Sequence, residues 1–301
     1  MTRTVEGALL VSMEQMLAVN GVDLCVETFG APEGPPILLI GGMSASMDYW
    51  EDDFCEALAA GGRFVIRYDH RDTGRSTSWP PGEPGYTGRD MVADIPALLD
   101  AVGLDRAHLF GISMGGALAQ CVAVLHPERV ETLILDETSP AFEGVPGVPP
   151  IGEELADFFE KASQSTMPDP DDHEALVTML VEDQRAFVPE RFDEGRMRAV
   201  VTQAVRRTPD MRPSLANHHV MGDGEPITAT LADITAPTLV IHGTRDPLFP
   251  TGHGEVLAEG IPDATLLMLD GVGHEPPPIY TWETVVPAIL DHTTARPDPR
   301  R

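Results

Sequence analysis

Short apolar runs that end in glycine, serine or aspartate recur along this chain, and helix-length segments separate them. They read PILLIGG (36–42), RFVIRYDH (63–70), AHLFGIS (107–113) and VETLILD (130–136). Continuous apolar runs of this length suit strands buried on both faces. Between them, residues 48–60, 90–102 and 117–125 carry apolar positions near helical spacing. Strand–helix alternation of this kind implies a parallel sheet with helices on both faces. Residues 16–30 read as a hairpin with Asn20-Gly21 at its turn, a pair that accepts the positive φ of a tight hairpin.

The pattern breaks near Ser139. A Pro/Gly-rich stretch, PAFEGVPGVPP, leads into three helix-like pieces: EELADFFEKAS, EALVTMLVEDQ and GRMRAVVTQAV. Strand runs then resume at PTLVIHG (237–243) and ATLLMLD (264–270). The expected organisation is one α/β core built from residues 1–138 and 231–301. A helical insertion, residues 139–230, interrupts it.

Bulk properties exclude several functions. The formal charge of −28 repels phosphates, which argues against nucleic acid and anionic membranes as partners. The 20 basic side chains include one lysine, Lys161, so Schiff-base chemistry has a single candidate in a charged, helix-like stretch. Cys25, Cys55 and Cys121 lie far apart and form no metal-ligand spacing; they read as small apolar fillers in a reducing compartment. The run ALLVS (8–12) is too short for a secretory signal, and no stretch approaches the roughly 20 apolar residues of a membrane helix. The expectation is a soluble, cytoplasmic protein, monomer or homodimer, with a disordered tail ARPDPRR and no cofactor or metal.

The segment LFGISMGGALAQ (109–120) joins a strand to a helix through three glycines. A dinucleotide loop needs G-x-G-x-x-G after the first strand, and a P-loop needs lysine before serine or threonine. Neither pattern is present. The string G-x-S-x-G is present, with Gly111, Ser113 and Gly115. Such a corner lifts a serine hydroxyl to a helix N-terminus, where N–H groups and the helix dipole favour developing negative charge. Ser113 is the candidate nucleophile, and the Met114 N–H is one candidate oxyanion donor. Gly116 reads as a place of close helix packing.

A serine hydroxyl needs a base, and the base needs an orienting carboxylate. The chain order for this fold is serine, acid, histidine. PTLVIHG runs into TRDPLFP, which puts Asp246 after a strand; ATLLMLD runs into GVGHEPPP, which puts His274 after the next. Asp136, after VETLIL, is the alternative acid. The loop after PILLI supplies a second oxyanion donor, Gly42, with Met43 next in rank. Met43, Met47 and Met114 would add adaptable apolar walls. Met43, Trp50 and His218 are candidate pocket residues, and His219 adjoins the last.

LLIGG, RYDHRDTGRS, GISMGG, PTLVIHGTRDPLFP and GVGH together resemble the α/β-hydrolase superfamily over nearly the whole chain outside the insertion. The closest likeness is to the aclacinomycin methylesterases of actinomycete polyketide pathways, which remove a methyl ester from an anthracycline. The histidine–glycine opening usual in the oxyanion loop is Ile40-Gly41 here. The resemblance implies a mostly parallel eight-stranded sheet with an inserted helical cap over the site. It also implies a small-molecule ester substrate, with a methyl ester of a polyketide-type or other bulky acid as one candidate beside a simple acyl ester or a lactone. By the same resemblance Ser113 is nucleophile, His274 base, Asp246 orienter, and Gly42 and Met114 oxyanion donors. Asp69, Arg71 and Asp72 are expected to tie loops together. The same triad also serves lactone opening, C–C bond hydrolysis and cofactor-free perhydrolysis. A binding protein without turnover is the contrasting reading, against which a complete triad argues.

Overall fold

The computed structural model describes residues 14–162 and 167–294. The run at 8–12 and the tail ARPDPRR lie outside them. Eight strands form one sheet: β1 (Gln15–Val19), β2 (Val22–Phe29), β3 (Pro36–Ile40), β4 (Phe64–Tyr68), β5 (Ala107–Ile112), β6 (Val130–Asp136), β7 (Thr238–Gly243) and β8 (Ala264–Leu269). Their order across the sheet is β1-β2-β4-β3-β5-β6-β7-β8. β2 runs antiparallel to β1 and β4, and every pairing from β4 to β8 is parallel. Asn20 (φ +46°) and Gly21 (φ +81°) make the β1–β2 turn, as their residue types predict.

Each central strand feeds two cores, because alternate side chains point to opposite faces. Leu38 and Ile40 of β3 pack with Leu109, Leu133 and Val240 against α2 (Gly88–Ala101) and α3 (Met114–Leu125). Ile37 and Leu39 pack on the other face with Phe110, Ile134 and Ile241. Those side chains meet α1 (Asp52–Ala60) and α9 (Trp282–His292). Each such side chain, fully buried, contributes about 1.5–3 kcal/mol. Double-sided burial is why these strands read as unbroken apolar runs.

Between β6 and β7 lie α4 (Glu153–Ala162), α5 (His173–Phe187), α6 (Glu194–Arg207) and α7 (Met211–Val220), and no strand occurs there among the described residues. Leu176, Leu180, Val201 and Val205 give α5 and α6 a small core of their own. The helix α8 (Gly252–Gly260) follows β7.

Two helix starts and one whole helix stand out against the sequence expectation. Residues 48–60 are not one helix: a 3-10 turn, Met47–Tyr49, precedes α1. The Met47 N–H is held by Asp69 at 2.8 Å, and Arg67 binds the Trp50 carbonyl, so the segment is tied to β4 before the helix starts. α3 begins at Met114 rather than Ala117, directly after the corner serine. α7 was not expected. Its first turn is capped by Asp210, whose carboxylate accepts from the Arg212 N–H at 2.9 Å. Pro213 in that first turn hides the helix in sequence, although proline is tolerated there.

Candidate active site

All parallel strands end on one edge of the sheet, so the loops after β3, β5, β6, β7 and β8 converge there. The corner after β5 is the tightest. Ser113 has φ +54° and ψ −122°, a disfavoured backbone conformation held by its surroundings. Its N–H bonds to the Asp136 carbonyl at 3.0 Å, and its carbonyl accepts from Thr138 Oγ1 at 2.7 Å. A Cβ on Gly111 would lie 2.3 Å from the Gly115 carbonyl oxygen. One on Gly115 would lie 2.2 Å from the Ile40 carbonyl oxygen. The two glycines are therefore steric requirements of the corner. Gly116 faces Thr138 at 2.7 Å in the same test, a close packing contact.

Asp246 and His274 meet. His274 Nδ1 and Asp246 Oδ2 are 2.8 Å apart. Asp246 Oδ1 also accepts from the N–H groups of Leu248 (2.7 Å) and Phe249 (2.8 Å). Burial opposes the charge on Asp246, but His274, Glu137 and the Phe249 N–H together hold its pKa below the usual value. Because the aspartate carboxylate accepts, His274 Nδ1 carries a proton and Nε2 is the basic nitrogen. The His274 N–H bonds to the carbonyl of Phe187, at the end of α5, at 2.8 Å. Asp136 does not bind His274. Its carboxyl is buried with neither oxygen hydrogen-bonded, and burial, with Asp246 and Glu275 nearby, raises its pKa well above normal.

Gly42 lies beside Ser113: its notional Cβ is 3.5 Å from the serine Cβ. Met114 is the first residue of α3, in the turn whose N–H groups lack intrahelical acceptors. The Met43 side chain is 43 % exposed and faces solvent next to Gly42. The other two expected pocket residues are elsewhere. Trp50 is 1 % exposed and packs on Phe54 and Phe110 in the core between the sheet and α1. The 3-10 turn Met47–Tyr49 just before it leads the side chain under the sheet. Met47 is likewise buried. His218 is 3 % exposed, with both ring nitrogens bonded to backbone, so it is a strut rather than a wall.

The RYDHRDTGRS string ties loops, as expected. Asp69 accepts from the N–H groups of Met47 and Arg75 and pairs with Arg207 of α6. Arg71 pairs with Asp94 at 2.6 Å, and Asp72 accepts from the Trp79 N–H and Asn217 Nδ2.

Sequence reasoning missed Glu137. It is fully buried, has φ +41°, and neither carboxyl oxygen meets a donor. Burial, then Asp246 and Asp136, push its pKa well above normal, so it keeps its proton and directs it to Asp246. The available signal was two adjacent acidic residues at the end of a buried strand, in LILDETS. Glu137, His242 and Asp246 bring donor atoms within 4.8 Å of one another. A cation there would have to displace bonds already made. Asp246 is engaged by His274 and two N–H groups, and His242 Nε2 donates to the Phe249 carbonyl at 2.7 Å.

Glu137 has a consequence for stability. The unfolded chain releases this proton above about pH 4, whereas the folded chain retains it. Stability therefore falls with rising pH, by up to about 1.4 kcal/mol per unit, until the folded pKa is passed. Glu137→Gln removes that slope. In urea titrations at pH 5 and pH 8, the variant should gain on the parent towards the alkaline side; a pH-independent difference would contradict a neutral Glu137.

Two phenylalanines approach His274, and two more pack behind one of them. Phe187 is 5.8 Å and Phe249 5.3 Å from its ring, and Phe158 and Phe159 of α4 pack against Phe187 at 6.3 and 5.9 Å. A cavity of about 140 Å³ borders the next residue, Glu275, whose pKa burial and Glu51 raise to about 7. A larger one of about 270 Å³, among the helices of the insertion, touches none of the site residues.

The profile described as alpha/beta hydrolase fold matches residues 35–277. The chain belongs to the α/β-hydrolase family. This hydrolase is 35 % identical over 298 residues to a rhodomycin D methylesterase from a Streptomyces species, covering 93 % of this chain and 98 % of the relative. A second rhodomycin D methylesterase, from Streptomyces peucetius, is 33 % identical over 296 residues, with the same coverage. Among solved structures, a hydrolase from Pseudomonas aeruginosa superposes with a TM-score of 0.66 at 27 % identity, over 95 % of this chain and 97 % of that one. Among the described residues of the hydrolase, no helix is long and apolar enough to cross a membrane.

Proposed function

We propose that this chain is a serine esterase that cleaves a methyl ester of a bulky, ring-containing acid through Ser113, His274 and Asp246. The family and its named methylesterase relatives make it a hydrolase acting on esters. The observation that carries the catalytic reading is the His274–Asp246 pair at 2.8 Å, on the sheet edge that also presents the strained Ser113 corner.

In the proposed reaction Ser113 Oγ attacks the ester carbonyl carbon while His274 Nε2 takes the hydroxyl proton. The carbonyl π electrons move to oxygen, and the N–H groups of Gly42 and Met114 receive the oxyanion. Collapse expels methanol, which takes its oxygen proton from His274, and leaves an acyl-serine. Water, deprotonated by His274, attacks that acyl group; the proton returns to Ser113 as the acid departs. Asp246 stabilises the imidazolium and stays ionised throughout.

Residues 139–230 act as the cap in this reading. Support comes from the Phe187 carbonyl on the His274 N–H and from the Phe158–Phe159–Phe187 group beside the histidine. Aromatic faces suit a flat ring system. The test is release of methanol from methyl esters of polycyclic aromatic acids, alongside p-nitrophenyl acetate and butyrate. Phe187→Ala should raise KM for the polycyclic esters about tenfold and change p-nitrophenyl acetate turnover little. Equal effects on both substrates would count against the aromatic wall.

A further inference from the structure

The imidazole of His218 enters from α7 of the insertion and reaches the loop after β3. Its Nδ1 is 3.0 Å from the Ser44 backbone nitrogen, and its Nε2 is 2.8 Å from the Arg71 carbonyl oxygen. The partners fix the tautomer. A backbone N–H only donates, so Nδ1 is the acceptor; a carbonyl only accepts, so Nε2 carries the proton. The ring is therefore neutral, and burial, which lowers its pKa, works the same way. A second imidazole holds the other end of the same loop: His70 Nε2 donates to the Gly41 carbonyl at 3.0 Å. Burial drops the His70 pKa to about 3. The Gly41–Ser44 turn is thus gripped at its first carbonyl and its last N–H, with Gly42 between them. Ser44 sits at φ +62°, a conformation a non-glycine residue keeps only when its surroundings hold it.

We propose that His218 is a positioning residue for the oxyanion loop, bridging the Ser44 N–H to the Arg71 carbonyl and so fixing the Gly42 N–H towards Ser113. This rests on the reading of Gly42 as an oxyanion donor. It makes the insertion part of the catalytic geometry as well as the pocket. A displaced donor weakens transition-state binding more than ground-state binding, because the oxyanion exists only in the former.

The neighbouring Asn217 provides a control. It docks the same helix through Asp72 and the Gly82 N–H without touching the oxyanion loop. The experiment measures kcat and KM for p-nitrophenyl butyrate, and inhibition by a trifluoromethyl ketone, in His218→Ala, His218→Gln, His218→Asn and Asn217→Ala. His218→Ala should lose about 10- to 100-fold in kcat, less than outright loss of a donor, with KM changed less than about threefold. Ketone inhibition should weaken by the same factor as kcat. Glutamine, long enough to accept and donate at once, should restore most of kcat, and asparagine should not. Asn217→Ala should lower Tm while keeping kcat within about threefold. The proposal is overturned if His218→Ala keeps kcat, if its loss appears in KM alone, or if Asn217→Ala loses kcat equally. Should the alanine variant not fold, the glutamine–asparagine contrast decides, and equal kcat in those two overturns the proposal. Fluorophosphonate labelling of Ser113 in the parent protein is the separate check on the underlying esterase reading.

Discussion

Ser113→Ala is expected to lower turnover of p-nitrophenyl butyrate by about 10⁴- to 10⁶-fold, with KM little changed and the fold intact. In the proposed reaction the serine hydroxyl oxygen forms the acyl bond, and alanine has no nucleophile to take its place. Alanine still fits the corner, because the strain there is in the backbone and Gly111 and Gly115 already provide the space. The residual rate should come from oxyanion stabilisation of a directly attacking water. A loss of less than tenfold would mean that the ester is cleaved elsewhere on the molecule.

Gly115→Ala is expected to lower stability by more than about 3 kcal/mol, the steep end of the range for single substitutions. The added Cβ would sit 2.2 Å from the Ile40 carbonyl oxygen and 2.5 Å from that of Gly41. Both neighbours are backbone, so relief requires moving the end of β3 and the oxyanion loop with it. Activity should fall further than stability, since the displaced loop carries Gly42. Gly222→Ala is the comparison. Nothing lies within 4 Å of its notional Cβ and its φ is not positive, so its effect should stay within about 0.5 kcal/mol. Thermal unfolding of the two variants checks both statements; equal shifts would contradict the steric argument.

The corner and the acid were legible because each follows a strand that is buried on both faces, and the histidine because it follows the apolar run of the edge strand β8. Double burial writes itself into sequence as an apolar run, and the residue after such a run must lie on the sheet edge. Asp246 and His274 each follow such a run, and in the structure His274 Nδ1 and Asp246 Oδ2 lie 2.8 Å apart. Side chains whose role depends on direction were not legible. Trp50 and His218 both sit near the site in the chain or in space, yet one turns under the sheet and the other spends both nitrogens on backbone. Glu137 was hidden for a different reason. An acidic residue in sequence reads as charged, and only burial beside Asp246 and Asp136 makes it neutral. α7 went unseen because its packing is polar: Ser214, Asn217 and His218 all bond to the core loops, so no apolar stripe marks it.

The central claim is that Ser113 forms a covalent acyl intermediate with a carboxylic ester. Mass spectrometry of the protein quenched during turnover of p-nitrophenyl butyrate, followed by peptide mapping, tests it most directly. The expected result is one butyryl adduct on the peptide containing Ser113, absent in Ser113→Ala and accumulating in step with an initial burst of p-nitrophenol. An adduct on another residue, or steady turnover in Ser113→Ala at the parent rate, would contradict the account.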